Sequence, residues 1–442
     1  MKPGFLHRLL VVRPSLGRVL LLILPVAVWL LLDVSPVVTN SSRITSKDLS
    51  QGSLQLQQGQ HRLREYDVPV GPADLAYNNS RARKSTARRN EAATRSIACN
   101  YAKGKWAADV KRPLYSGNEC RRWLSLAWSC RRMERTDFSY ESYRWQPHDC
   151  EMPEFSGPNF LQRMKHKTLA FVGDSLGREQ FQSMMCIATG GKPSPEVEDV
   201  GWKYGIVKAS TPVTPGGSAY RFPGTNTTIL FYWSPTLSEL EPLIKTKSSA
   251  TTSYALHLDR PGDFLKTHLH SFDTLVLNAG HHWNRVKFRR NRWKLYEHGK
   301  PVRKRSLAAK HLSHARDIKL HNIARWVDSE IVHRPRMKVF LRTMSPVHFV
   351  NGDWNTGGRC DNTVPLSSGG EVSQDRSSDF TAESAVMGTR LKLLDITAIS
   401  QLRSEGHISN HSVKAQRAIY DCLHWCLPGI PDMWNELLFA QM

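Results

Sequence analysis

The stretch "KTLAFVGDSLGREQF", residues 167–181, constrains the fold more than any other. Strand-forming residues, Thr168–Val172, run into Gly173-Asp174-Ser175, and a helix-like sequence follows. Apolar runs of strand length recur at Thr228–Trp233, Thr274–Leu277, Lys338–Leu341 and Leu391–Ile396. Helical stretches separate several of them. The longest covers about 308–332, where Leu320, Ile323, Val327 and Ile331 fall on one face. Strands alternating with helices predict an α/β domain, a central parallel sheet covered on both sides. In such a sheet, functional groups sit where a strand ends and a helix begins. Ser175 is at such a place.

The N-terminus bears on location. Val19–Leu32 is uncharged and almost wholly apolar, with Lys2, Arg8, Arg13 and Arg18 before it and Asp33 after it. Counted from Leu16, the run is long enough to span a thin early-secretory membrane. The positive-inside rule puts residues 1–15 in the cytosol, a signal anchor at 16–34 and the remainder in the lumen. A cleaved signal peptide is the rival reading, but no small-x-small cleavage site follows the run. Both readings weigh against nucleic acid as the partner of a chain with net charge +22. Residues 35–96, with "QGSLQLQQGQ" and "RARKSTARRN", cannot bury a core and read as a flexible stem.

All eight cysteines follow the anchor: Cys99, Cys120, Cys130, Cys150, Cys186, Cys360, Cys422 and Cys426. An even number in an oxidising lumen reads as four disulfides, and spacing alone leaves the pairing open. Cys422 and Cys426 bracket His424, but no second cluster of metal-ligand spacing accompanies them, so no metal is expected. Asn40, Asn78, Asn226 and Asn410 head glycosylation sequons. Residues 97–152 hold four of the cysteines and four tryptophans, Trp106, Trp123, Trp128 and Trp145, the composition of a disulfide-stapled subdomain. Packing is the first reading for these aromatics, and stacking on sugar rings the second. The catalytic domain is then 153–442.

A serine hydroxyl needs a base to become a nucleophile. In "DCLHWCLPG", 421–429, Asp421 precedes His424 by three residues, a spacing that shares one face on a turn or short helix. Asp421 can hold the imidazole while His424 takes the Ser175 proton. Asn278, ending a strand in "LVLNAGHHW", can donate to an oxyanion beside the Ser175 N–H. "FLRTMSPVHFVNGDWNTGGRC", 340–360, combines Arg342, His348, Trp354 and Asn355 with several glycines, which suits a sugar-binding loop. The basic stretch Arg285–Arg305 reads first as a solvated loop and second as a contact for an anionic polymer. "GDSLG" also matches Gly-x-Ser-x-Gly, but in that fold acid and histidine come from separate loops after separate strands. Asp174 is then a turn or helix-cap residue, with Gly173 serving the turn and Gly177 close helix packing.

The motifs "FVGDSLGR", "NAGHHW", "RTMSPVHFVNGDWNTGGRC" and "DCLHWCLPG" resemble those of the plant trichome birefringence-like proteins, Golgi polysaccharide O-acetyltransferases of the PC-esterase group, related to SGNH/GDSL hydrolases. The similarity covers about 97–442. It implies an SGNH-hydrolase-like three-layer domain behind a cysteine-rich N-terminal subdomain, in a single-pass type II Golgi membrane protein. It implies Ser175 as nucleophile, His424 as base, Asp421 as its partner, and Asn278 as oxyanion donor. Substrate-binding roles follow for Arg342, His348, Trp354 and Asn355. By the same analogy the disulfides are Cys99–Cys150, Cys120–Cys186, Cys130–Cys426 and Cys360–Cys422. The implied activity is acetyl transfer to a cell-wall polysaccharide, xylan first. No bound cofactor is implied, and the co-substrate is acetyl-CoA or a derived acetyl carrier. An acetylesterase with the same triad and a non-catalytic wall-polymer binder are the rivals. The glycine of the SGNH oxyanion hole has no counterpart between 200 and 260, and the resemblance leaves the oligomeric state open.

Overall fold

The computed structural model describes residues 99–206, 216–243, 252–302, 311–364, 370–411 and 420–442. The expected tail, anchor and stem, with Asn40 and Asn78, lie outside them. Among the described residues no helix is long and apolar enough to cross a membrane.

The chain begins with β1 (Gly104–Ala108) and β2 (Tyr143–Pro147), joined through short 3₁₀ turns, then α1 (Gly157–Arg163), β3 (Thr168–Gly173) and α2 (Ser175–Ala188). Next come β4 (Glu198–Asp199), β5 (Gly217–Phe222), β6 (Thr227–Trp233), β7 (Ser238–Leu243), β8 (Ser253–Pro261) and α3 (Asp263–His268). The middle holds β9 (Thr274–Leu277), α4 (Arg285–Asn291), β10 (Trp293–Glu297), β11 (Lys300–Pro301), α5 (His311–Glu330) and β12 (Lys338–Arg342). The last part holds β13 (Glu371–Val372), α6 (Phe380–Val386), β14 (Lys392–Leu394), α7 (Thr397–Gln401), β15 (His407–Ser409), β16 (Asp421–Trp425) and α8 (Ile430–Gln441).

Seven strands form the central sheet, in the order β14-β12-β9-β3-β6-β5-β4. The five from β14 to β6 run parallel. β5 and β4 add antiparallel pairs at one edge, so the sheet is mixed and not wholly parallel as expected. The departure is local: β5 and β6 are joined by a turn too short for a crossover helix, with Asn226 in the left-handed region at φ 53°.

Alternation along the parallel strands sorts the core into two layers. Leu169, Phe171, Ile229, Phe231, Val276 and Phe340 face α2 and α8. Ala170, Val172, Leu230, Leu275, Leu277, Val339 and Leu341 face α5 and α3. On α5 the predicted stripe Leu320, Ile323, Val327 and Ile331 is the buried one. A second sheet, β11-β10-β8-β7, was not visible in the apolar pattern. It has its own small core of Leu256, Leu258, Trp283, Phe288 and Ala315.

The cysteine-rich segment does not pack apart from the rest. β1 pairs with β2 and also with the late strand β13. Trp106, Trp123, Trp128 and Trp145 are all buried in the core layer that contains α2 and α8. The disulfides are those the resemblance implies, Cys99–Cys150, Cys120–Cys186, Cys130–Cys426 and Cys360–Cys422. Two of them tie this segment to distant chain, at α2 and just beyond β16.

Candidate active site

β3 ends at Gly173, and the chain turns into α2 through Asp174 in an extended conformation. Asp174 caps the helix: its Oδ1 accepts the Leu176 N–H at 3.0 Å. Ser175 is the first helical residue, so its N–H is among those with no partner inside the helix. The turn is tight because Asn278, just past the end of neighbouring β9, fills the space beside it. A side chain at Gly173 would place Cβ 1.9 Å from Asn278 Oδ1. Asn278 is buried and donates Nδ2–H to Asp174 Oδ1 at 2.6 Å, which leaves its second amide hydrogen for another acceptor.

Asp421 and His424 lie on β16, a strand and not the expected helical turn. Residues three apart on a regular strand point to opposite faces. Here the pairing of β16 with β15 is irregular, and Asp421 Oδ1 accepts the N–H of His424 at 3.0 Å, bending the chain back. The two side chains therefore meet. His424 Nδ1 donates to Asp421 Oδ2 at 2.9 Å, and His424 Nε2 accepts from Ser175 Oγ at 2.7 Å. Burial disfavours charge on the imidazole, but Asp421 outweighs it, with Glu179 and Asp174 adding, and raises the His424 pKa to about 9. Burial likewise disfavours charge on Asp421, but His424 and the backbone N–H groups hold its carboxyl well below the usual range. A hydroxyl, an imidazole and a carboxylate thus stand in hydrogen-bonded series, an arrangement able to serve as nucleophile, base and orienting acid.

The other predicted residues divide. Trp354 is 56% exposed, and Asn355 is exposed beside it, in the loop after β12. That loop folds on itself tightly: a Cβ at Gly358 would lie 2.3 Å from Gly352 O. Arg342 lies beneath the site, 3% exposed. It donates to Leu176 O at 3.0 Å and Gln180 Oε1 at 3.3 Å, and its guanidinium lies over the Trp434 ring. Burial lowers its pKa to about 10, so it stays charged at neutral pH as a prop for α2. His348 is half-buried, and both ring nitrogens meet protein atoms, His407 Nε2 at 2.6 Å and Gln401 O at 3.1 Å. Arg342 thus props α2 from beneath, and His348 is joined through His407 to the His424 carbonyl. Cys422 and Cys426 are both oxidised and carry no thiolate for a metal. Asn226 and Asn410 are exposed.

Residues 152–441 match the model of the PC-esterase family, described as a GDSL/SGNH-like acyl-esterase family found in Pmr5 and Cas1p. Residues 97–151 match the PMR5 N-terminal domain. The chain belongs to the PC-esterase family. It is 56% identical to protein trichome birefringence-like 14 of Arabidopsis thaliana, over 78% of this chain and 87% of that protein. It is 51% identical to trichome birefringence-like 15 of the same plant, over 78% and 70%. It is also 31% identical to the Arabidopsis xyloglucan O-acetyltransferase 1, over 78% and 80%.

Three residues at this PC-esterase site escaped the sequence reading. Glu179, one turn along α2 from Ser175, is fully buried and accepts the Trp425 N–H through Oε1 at 2.8 Å. It joins the nucleophile's helix to the residue after the base. Its Oε2 is buried without a partner, which favours the neutral acid. Burial raises its pKa to about 8, against His424, the Trp425 N–H and Arg342. Trp128, from the cysteine-rich segment, stacks near His424 with ring centroids 5.8 Å apart. His407 is stacked on Trp425 and hydrogen-bonds the His424 carbonyl at 2.9 Å. Only Glu179 left a signal: an acid at i+4 from the candidate nucleophile on a helix with a buried face.

Proposed function

We propose that this chain is an O-acetyltransferase that moves an acetyl group onto a hydroxyl of a plant cell-wall polysaccharide, with xylan the first polymer to test. The observation that carries the reading is the hydrogen-bonded series Ser175–His424–Asp421. His424 Nε2 takes the Ser175 proton as Oγ attacks the acetyl carbonyl of the donor. The tetrahedral oxyanion is met by the Ser175 N–H and the second Asn278 amide hydrogen. The intermediate collapses to acetyl-Ser175, and the donor's leaving group departs with the proton from His424. A sugar hydroxyl then gives its proton to His424 and attacks the acetyl-serine. Ser175 leaves and recovers the proton. Each step balances, with acetyl-CoA or a derived carrier as donor and no group beyond the donor and acceptor.

Family membership supports acyl chemistry, and the named activity of the xyloglucan O-acetyltransferase relative supports transfer to a glycan. The acyl-esterase description of the family favours a second reading, in which water takes the acetyl group. Transfer wins only if a bound hydroxyl is positioned better than water. The proposal includes a lumenal site in the Golgi, held by the apolar run at 16–34. Brief exposure to acetyl donor followed by intact-mass and peptide analysis tests the chemistry. Wild type gains one acetyl group on Ser175, and Ser175→Ala gains none. An active Ser175→Ala protein would end the scheme. With an oligosaccharide acceptor present, acetylated sugar supports transfer, and free acetate alone supports hydrolysis.

A further inference from the structure

The loop that carries Asn278 continues into a basic, exposed segment, residues 285–300. His281 donates to the Ser345 carbonyl at 2.8 Å, and the His282 ring lies 5.4 Å from that of Trp233 at the end of β6. Both contacts keep the loop on the rim where Ser175 sits. Asn284 then caps α4 by accepting the Lys287 N–H. Arg285 is seven residues from Asn278, so α4 begins within roughly 25 Å of the site even if the chain were straight. Electrostatics give a second link. His282 is held neutral first by burial, and it then feels both Asp174 of the site and Lys287 of α4.

Phe288 and Trp283 are buried under α4 with the half-buried Trp293 against them, and this apolar underside turns the charges outward. Arg285, Arg289, Arg290, Arg292, Lys294 and Lys300 are all exposed. None of these six has an acidic partner among the described residues. Several other arginines are matched with acids: Arg112 with Glu436, Arg131 with Glu141, Arg316 with Asp379, Arg390 with Asp328. Arg285 and Arg289 stand at i,i+4 on one helix, a like-charge spacing that opposes the helix unless an anion lies across it. A row of separate exposed guanidinium groups is poorly shaped to enclose one small anion. It is well shaped for an extended polymer with repeated carboxylates, each met by a planar donor fork.

We propose that the exposed basic edge of α4, β10 and β11 is a docking surface for the uronate carboxylates of an acidic polysaccharide acceptor. It holds the acceptor a short way along the polymer from the hydroxyl presented to Ser175. The inference rests on the reading of the site as a polysaccharide O-acetyltransferase, whose acceptor it narrows to an acidic class.

The binding arm uses Ser175→Ala protein, so that no transfer is needed. The probes are oligogalacturonates and the same oligomers with their carboxyls reduced. At low salt the acidic oligomer binds about tenfold tighter, and the preference shrinks with added salt. The triple change Arg285→Gln, Arg289→Gln, Arg290→Gln abolishes the preference, with thermal melting and circular dichroism as the check on folding. Equal binding of both oligomers, or a preference that survives the triple change, overturns the proposal. In the wild-type background the triple change raises KM for an acidic acceptor about tenfold and for its reduced form several-fold less. If KM for the acetyl donor rises instead, the edge serves donor phosphates and the proposal fails. It fails also if the triple change releases the protein from anionic phospholipid vesicles without weakening oligogalacturonate binding. A binding preference that the triple change abolishes, together with no acetyl transfer to any acceptor, would sink the transferase reading and leave the docking surface standing.

Discussion

Around Ser175 the polar groups are buried and interlocked. Asp174 holds α2 and Asn278, Asp421 holds His424, Glu179 holds the chain after His424, and Arg342 props α2 from beneath. At the surface, Trp354 and the arginines of α4 are exposed, and Arg285, Arg289 and Arg290 have no acidic partner among the described residues. The centre is built so that no group moves when charge develops. The rim presents exposed groups, which the proposed acceptor would meet. The difference separates two quantities: substitutions at the centre should lower kcat, and those at the rim should raise KM for the acceptor.

Asp421→Asn should give the largest effect at the centre, lowering acetyl-serine formation by roughly 10⁴-fold without loss of folding. It also fixes a sign. His424 takes a proton only when neutral, and Asp421 strengthens its hold on protons. Wild-type rate should therefore climb with pH along a limb displaced to the alkaline side of an ordinary imidazole, and Asp421→Asn should move that limb to lower pH. A limb unmoved in the variant would separate Asp421 from the base. Glu179 comes next. Glu179→Ala leaves the Trp425 N–H buried and unpaired, at a cost of about 1–3 kcal/mol in denaturant melts. Glu179→Gln keeps an acceptor and should cost little stability, yet it should move the pH limb downward, because Glu179 also favours charge on His424. A pH profile identical to wild type would reduce Glu179 to packing. The smallest effect is expected at the rim, where Trp354→Ala should raise acceptor KM by about threefold to tenfold at constant kcat. A drop in kcat with KM unchanged would break the division between centre and rim.

The innermost strands were legible because they are apolar runs buried on both faces, as in Thr168–Gly173 and Thr274–Leu277, whereas edge strands β4 and β5 carry no such run. The second sheet was not. β7 and β10 mix charged with apolar residues: β7 is largely exposed, and β10 packs Trp293 and Leu295 on the small Trp283–Phe288 core while its other residues include charged Lys294 and Glu297. Arg285–Arg305 read as a loop for the same reason: charge density hid the single buried Phe288 that anchors α4. At the site, Ser175, Asp421 and His424 could be singled out because each lies in a distinctive local motif. Glu179, Trp128 and His407 act through partners far away in sequence, which no local pattern encodes. Arg342 was read with His348, Trp354 and Asn355 as a substrate-binding residue, and residue type tells nothing of its depth. Arg342 lies under α2, and its neighbours there come from α2 and α8.

The two cysteines that bracket His424 have a consequence in time. Cys422 joins Cys360, and Cys426 joins Cys130 across 296 residues. A chain emerging from the ribosome exposes Ser175 long before His424 has been made. During that interval the serine has no base, and Cys130 and Cys360 have no partners. Ser175, His424 and the two bridges therefore come together only after residue 426 has been made, and the bridges close only where thiols can be oxidised.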